Sequence, residues 1–330
     1  MHLRALRPSA GDVKVVVLDD YQRAVSRLSC LSLLDGHEVT ILGDPDRPPE
    51  EVGRVLGEAE ALVPIRERTR VDTAFLERVP RLRLIAQTGR GTAHVDVAAC
   101  TERGIAVSSG AGSPVAPAEL TFGLVLAALR HIPREAAGLR AGRWQETLGT
   151  GLRGRTLGIL GYGEIGALVA TYAVAFGMRI LAWGREGSLA RAAADGHAVA
   201  ADRRSLFTDS DVLSLHVKLT PETRGGVTAA DLALMKPTAL LVNTARAELI
   251  EPGALADALR AGRPGLAAVD VFDHEPVHPG DEPLLSLDNA LCTPHIGFVE
   301  RDTYEQYFAD AFARVAAFAD GREIPVVDPR

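Results

Sequence analysis

Lysine, cysteine and long apolar runs are what this chain has least of. Only three of its 36 basic residues are lysine, and against 43 acids they leave a formal charge of -7. Binding to a phosphate backbone needs a basic face, so nucleic acid is not an expected partner. The three cysteines, Cys30, Cys100 and Cys292, are odd in number and widely spaced, with no CxxC and no Cys/His cluster. That pattern excludes a disulfide framework and offers no metal site. They read as small buried hydrophobes in a reducing compartment, which points to the cytoplasm. Apolar stretches such as "AFARVAAFA" are interrupted or too short to cross a bilayer, and the opening "MHLRALRPSAGD" has no signal-peptide core. No membrane partner is expected, and the first dozen residues are expected to be loose. Low-complexity tracts and internal repeats are absent too.

What the chain does have is a rhythm. Its 330 residues, 47% hydrophobic and 24% charged, suffice for two domains with separate cores. From "VKVVVLDD" onward, short β-branched runs ("HEVTIL", "EALVPI", "RLRLIAQTG", "GIAVSS") alternate with Ala- and Leu-rich amphipathic segments. This is the pattern of βα units on a parallel sheet. After "GSPVAPAELTFGLVLAALRHI", a predicted long helix beginning near Pro117, the rhythm restarts with "TLGILGYGEIG" and runs through "RILAWG", "DVLSLHV", "ALLVNTA", "LAAVDVF" and "NALCTPH". Helical spacing returns in "RDTYEQYFADAFARVAAFADG". The expectation is α/β, with two Rossmann-like domains built on parallel sheets: residues 13–117 plus 300–330 form one discontinuous domain, and 118–299 are inserted between.

The restart carries a glycine signature. In "TLGILGYGEIGALVATYAVAFGM" an apolar strand over 156–160 meets Gly161, Gly163 and Gly166 and then a helix over about 164–176. This is G-x-G-x-x-G in strand–turn–helix context, so Gly161, Tyr162, Gly163, Glu164, Ile165 and Gly166 are expected to hold a dinucleotide pyrophosphate at the helix N-terminus. NAD sites place an acid on the adenine ribose ~20 residues further on. Here "RILAW" ends in Gly184, followed by Arg185. A carboxylate there would repel a 2′-phosphate, whereas glycine leaves room for it and a guanidinium can bind it, so NADP is favoured over NAD. Lys218, one of so few lysines, adds weight. Two alternatives stay open: Glu186 can reach the ribose, and Arg185 can be one solvated arginine among many. His216, Val217, Thr244 and Asp270 complete the expected cofactor lining, with Asp270 open to a structural role instead.

Three strand tails carry the candidate chemistry: "LLVNTARAEL", "AAVDVFDHEP" and "LCTPHIGF". Ligands of open α/β sheets bind beyond the carboxyl ends of the strands, so Arg246, Glu275 and His295 are expected to converge there. Singly each has an ordinary explanation: an ion-pair arginine, a turn acid before Pro276, a loop histidine after Pro294. Together they are what hydride transfer to a 2-oxo acid needs. The cation holds carboxylate and carbonyl oxygen, the imidazole protonates the alkoxide, and a carboxylate on the other ring nitrogen orients it. His216, His274 and His94 lack a carboxylate placed equally well.

The ordered motifs "GYGEIG", "HVKLTPETRG", "MKPTALLVNTARAELI", "DVFDHEP" and "TPHIG" resemble the D-isomer-specific 2-hydroxyacid dehydrogenases over nearly the whole chain from Val13. The resemblance implies a dinucleotide-binding domain inserted into a flavodoxin-like substrate domain, with domain closure excluding water. It implies an oxidoreductase with Arg246, Glu275 and His295 as its catalytic set and a small-molecule substrate such as glyoxylate or hydroxypyruvate. It places Gly89, Arg90 and Gly91 of "QTGRGTAHVD" at the substrate carboxylate, and Arg66, Glu67 and Arg68 of "VPIRERT" near the cleft. It also implies a homodimer through "PAELTFGLVLAALRHI", a segment whose apolar content suits burial in its own subunit equally well. The chain departs from the family pattern at Ala247 (usually Gly), His94 (near a usual Asn) and Gly184 (usually an acid). A cofactor-sensing binding protein on the same fold is the alternative, and a formate-type enzyme is disfavoured because Glu275 stands where those relatives carry Gln.

Overall fold

The computed structural model describes residues 11–328. Most of the opening stretch expected to be loose therefore lies outside the described residues. The chain divides into two units, residues 1–113 with 301–330, and residues 114–300.

The first unit is a five-stranded sheet: β1 (Lys14–Val17), β2 (Glu38–Ile41), β3 (Ala61–Val63), β4 (Leu84–Gln87) and β5 (Ala106–Ser109). All pairings are parallel and the order is β2-β1-β3-β4-β5. This is the flavodoxin-like order. Val15, Val17, Leu62, Leu84 and Ile85 are fully buried, as strands covered on both faces require. Between β1 and β2 the chain forms two 3-10 turns, Val25–Arg27 and Ser29–Leu34, where the βα rhythm led one to expect a helix. The C-terminal helix Arg301–Ala319 packs on β3, β4 and the second of these turns. Its Glu305 accepts from the main-chain N–H groups of Ser29 (2.7 Å) and Cys30 (3.2 Å), which fixes that turn.

The second unit is a seven-stranded sheet: β6 (Thr156–Leu160), β7 (Arg179–Trp183), β8 (Ala198–Val199), β9 (Val212–Leu215), β10 (Leu240–Asn243), β11 (Leu266–Val269) and β12 (Ala290–Cys292). The order β12-β11-β10-β9-β6-β7-β8 is parallel throughout. It is the doubly wound Rossmann arrangement, with its switch point between β6 and β9. On one face lie the helices Val115–Leu129 and Glu164–Ala175, which share a core of Phe122, Val125, Leu129, Val169 and Ala173. The other face is covered by Arg203–Asp209, Ala229–Leu234 and Ala254–Arg260. No single helix among the described residues is long and apolar enough to cross a membrane.

Candidate active site

The glycine turn sits at the switch point. Gly161, the first residue beyond β6, has φ +96°, and a Cβ on it would stand 2.8 Å from the carbonyl carbon of His216 and the main-chain nitrogen of Val217. Only glycine lets the turn lie this close to the end of β9. A Cβ on Gly166 would stand 2.7 Å from the Gly161 carbonyl oxygen and 3.1 Å from Ile159, so its absence brings helix and strand together. Gly163, at the N-cap of Glu164–Ala175, has nothing within 4 Å of its missing Cβ. The three glycines thus do the three things a pyrophosphate cradle requires, and the residues present fit a dinucleotide. Tyr162 contributes main chain alone at this surface, because its ring is buried and its hydroxyl donates to Asp195 at 2.8 Å. Burial first, and the Asp195 carboxylate second, push its phenol up. Glu164 is exposed in the helix's first turn and Ile165 half-buried.

At the end of β7, Gly184 faces Ser188: a Cβ would meet the serine Cβ at 3.3 Å, its Oγ at 3.5 Å and the Cα of Gly161 at 3.6 Å. Arg185 is the N-cap of the helix Glu186–Ala194, and both Arg185 and Glu186 are exposed. The Glu222 carboxyl, in the loop after Lys218, is lowered chiefly by the Thr220 hydroxyl, with the Arg185 charge a small addition. Lys218 itself is exposed, its carbonyl accepting from the Thr223 hydroxyl at 2.7 Å. His216 is bound to Ser214 Oγ at 2.8 Å, and burial pushes its imidazole down to about 4.

Arg246, Glu275 and His295 follow the adjacent strands β10, β11 and β12 at the same edge of the sheet. His295 Nδ1 lies 2.6 Å from Glu275 Oε2, and the other carboxylate oxygen accepts from the Phe272 N–H at 3.0 Å. Both side chains remain accessible, at 21% and 33% exposure. The loop bearing His295 is gripped from behind by Asp270, which is fully buried. Its Oδ1 accepts from the Thr293 hydroxyl (2.6 Å) and the Ile296 N–H (2.8 Å), and its Oδ2 from the Gly297 N–H (2.8 Å). Burial pushes its carboxyl up, while the Thr293 hydroxyl, the Ile296 and Gly297 N–H groups and His295 hold it down. The histidine is thus bracketed on both sides, at φ +49°. Arg246 is half-buried, and the loop before it is held by Asn243, whose amide donates to the Arg246 carbonyl (2.8 Å) and accepts from the Ala245 N–H (3.1 Å). Thr244 shares a 2.6 Å hydroxyl contact with Thr121 of the helix Val115–Leu129. Asn243 and Thr121 were not singled out from sequence, although a polar residue closing a fully buried strand, as Asn243 does, is a usable signal.

In the first unit, Gly89 has φ +76°, and the place of its Cβ is taken by Arg66 Nη1. The Gly91 side is occupied by Glu67, whose Oε1 is 2.5 Å from the missing Cβ. Arg66 also has positive φ (+53°), and its main chain is tied to this loop by Thr88 Oγ1 (2.9 Å) and Gln87 Nε2 (3.0 Å). Arg90 is exposed beside Gly112. Arg68 points elsewhere, donating to the Asp19 carbonyl (2.7 Å) and the Tyr304 hydroxyl (3.1 Å) and stacking over Tyr21. His94 Nε2 lies 3.2 Å from Gln87 Oε1.

Residues 122–297 match the family model described as D-isomer specific 2-hydroxyacid dehydrogenase, NAD binding domain. The chain is 37% identical to the glyoxylate reductase of Thermococcus litoralis over 300 residues, 88% of this chain and 89% of that one. It is 41% identical to the D-3-phosphoglycerate dehydrogenase of Methanocaldococcus jannaschii over 251 residues, 75% of this chain but 47% of that relative, so it spans about half that protein's length. Among solved structures it is similar to the phosphoglycerate oxidoreductase of Vibrio cholerae, with TM-score 0.89 and 48% identity over 93% of this chain and 99% of that one.

Proposed function

Since the chain belongs to the D-isomer-specific 2-hydroxyacid dehydrogenases, oxidoreductases with an NAD-binding domain, we propose that it interconverts a small 2-oxo acid and its D-2-hydroxy acid using Arg246, Glu275 and His295. The observation that carries this reading is the 2.6 Å His295–Glu275 contact on the sheet edge that also holds the glycine turn. With Nδ1 committed to Glu275, Nε2 is the nitrogen left to face a substrate. It donates a proton to the oxygen of the carbonyl as that oxygen gains negative charge, and takes the proton back in the reverse direction. The Arg246 guanidinium holds the carboxylate and polarises the carbonyl oxygen. A nicotinamide cofactor held by the Gly161–Gly166 turn would supply or accept the hydride. Glyoxylate and hydroxypyruvate, the substrates in the names of relatives, are the first candidates. In the first unit we read Gly89, Arg90 and Gly91, with Arg66 lying against them, as an anion-binding loop. The complete Arg/Glu/His set speaks against a cofactor-sensing protein without catalysis.

The cofactor proposed is NADP. Gly184 presents no carboxylate to the ribose, and exposed Arg185 beside it offers a planar fork for a 2′-phosphate. We expect kcat/KM for NADPH to exceed that for NADH by about tenfold or more, and Gly184→Asp to reverse the preference, an effect on the order of one charged hydrogen bond. Initial rates with both cofactors test it. A wild-type preference for NADH would discard the Gly184–Arg185 reading and turn attention to Glu186.

A homodimer is also proposed, as is a cytoplasmic location on the strength of three unpaired cysteines. The helix Val115–Leu129 buries Phe122, Val125 and Leu129 within its own unit. Surface for a second copy lies just beyond it instead, where Trp144 and Leu148 are 75% and 95% exposed.

A further inference from the structure

We infer that Arg314, on the C-terminal helix Arg301–Ala319, is a positioning residue for the substrate carboxylate, acting through the main chain of the loop at 87–91; this rests on the reading of that loop as the anion-binding loop. Arginine is almost never as fully buried as Arg314, at 6% exposure, unless it is paired. Its Nη1 pairs with Asp310 Oδ1 at 2.7 Å, one turn earlier on the same helix. Its Nη2 donates to the main-chain carbonyl of Gln87 at 2.8 Å. Gln87 ends β4, two residues before Gly89.

The pair reaches this strand end through a gap. Gly110, just beyond β5, has no side chain, and a Cβ there would collide with Asp310 Oδ2 and stand 3.1 and 3.2 Å from the two Nη atoms of Arg314. Gly110 N in turn donates to the Gly89 carbonyl at 2.8 Å, and Ala111 N donates to Asp310 Oδ2 at 3.1 Å. One ion pair, its arginine buried and its aspartate partly exposed, therefore fixes main chain at Gln87 and Ala111, with Gly110 bonded directly to Gly89. The Gln87 side chain extends the arrangement to the Arg66 carbonyl (3.0 Å) and His94 (3.2 Å). On the same helix Tyr307 lies under the Arg66 guanidinium, 5.8 Å from its ring centroid, and accepts from the Ser113 N–H at 3.0 Å.

Burial alone does not explain an arginine at this position, because an apolar side chain of similar volume would fill it without the cost of taking a charge out of water. What the guanidinium adds is direction: two bonds in a fixed fork, one to the helix and one to the strand end. Displacing a substrate-binding loop by a fraction of an ångström weakens binding without touching the reacting groups.

The test compares Arg314→Met, Arg314→Lys, Asp310→Asn and Gly110→Ala with the wild type, with Gly89→Ala as the direct probe of the loop. Glyoxylate serves as substrate and oxalate as competitive ligand. We expect Arg314→Met and Gly110→Ala to raise the glyoxylate KM and the oxalate Ki about tenfold, with kcat and cofactor KM within about twofold, and Arg314→Lys to recover part of the loss. A residue needed only for folding would lower Tm and leave that split unmoved. If Gly89→Ala raises KM while Arg314→Met and Gly110→Ala do not, the inference is overturned and the loop reading stands. If Gly89→Ala changes nothing either, or the wild type neither reduces glyoxylate nor binds oxalate, the loop reading falls and the inference with it. Should Arg314→Met fail to fold, Gly110→Ala and Asp310→Asn decide the matter on the same criteria.

Discussion

The site depends on a few side chains placed where a single bond changes what they do. Glu275 leaves one face of His295 free, and Asp270 holds the loop on both sides of it, so the imidazole is oriented by two carboxylates, only one of which touches it. His216 shows the same dependence on surroundings. Its imidazole is pushed down to about 4 by burial, from an ordinary 6.5, so it stays neutral in the folded protein at pH values where the unfolded chain has taken up a proton. The stability it contributes is therefore complete above about pH 6.5 and lost as pH falls from there toward 4, at roughly 1.4 kcal/mol per unit and on the order of 3 kcal/mol in all. Urea unfolding of wild type and His216→Gln at pH 7.5 and 4.5 checks this. The wild type should lose more stability between the two pH values than the variant, and equal losses would show that His216 does not titrate in this way.

At the scale of elements, the glycine turn is where local sequence and tertiary structure agree most closely. Gly161→Ala would force a side chain into φ +96° and against the His216–Val217 main chain. It should cost about 1–3 kcal/mol in stability and weaken NADPH binding. Thermal unfolding and a fluorescence titration should both register the change, and a variant unaffected in both would contradict the packing described for this turn. The turn was legible because an apolar run, three glycines and a helix lie within about twenty residues of one another. The placement of Arg246, Glu275 and His295 beyond three neighbouring strands was legible for a related reason, since each follows an apolar run. What was not legible is what crosses the chain. Asp270 grips residues 23 to 27 positions away, and Arg314 bonds Gln87 from 227 positions away. No periodicity encodes such contacts. The two-residue β8 is too short to carry a pattern, and the pair of 3-10 turns after β1 occupies a stretch whose composition does not distinguish them from a helix.

At the scale of the whole molecule, the proposed function divides the chemistry between the two units: hydride and proton handling on the seven-stranded sheet, anion binding on the five-stranded one. Assembly is predicted through the exposed arm that follows Ile132–Arg140. Sedimentation should give twice the chain mass for the wild type, and Trp144→Glu with Leu148→Glu should shift it to the monomer; a monomeric wild type would remove the dimer proposal. The central claim is that 2-oxo acids are reduced at His295, and it has a direct measurement. Initial rates of reduction of glyoxylate, hydroxypyruvate, pyruvate and phenylpyruvate are compared for wild type and His295→Ala, with NADPH and NADH side by side. The account predicts turnover of at least one of these acids by the wild type and a loss of about 10²–10⁴-fold in His295→Ala with cofactor binding retained; near-normal turnover by the variant would contradict it.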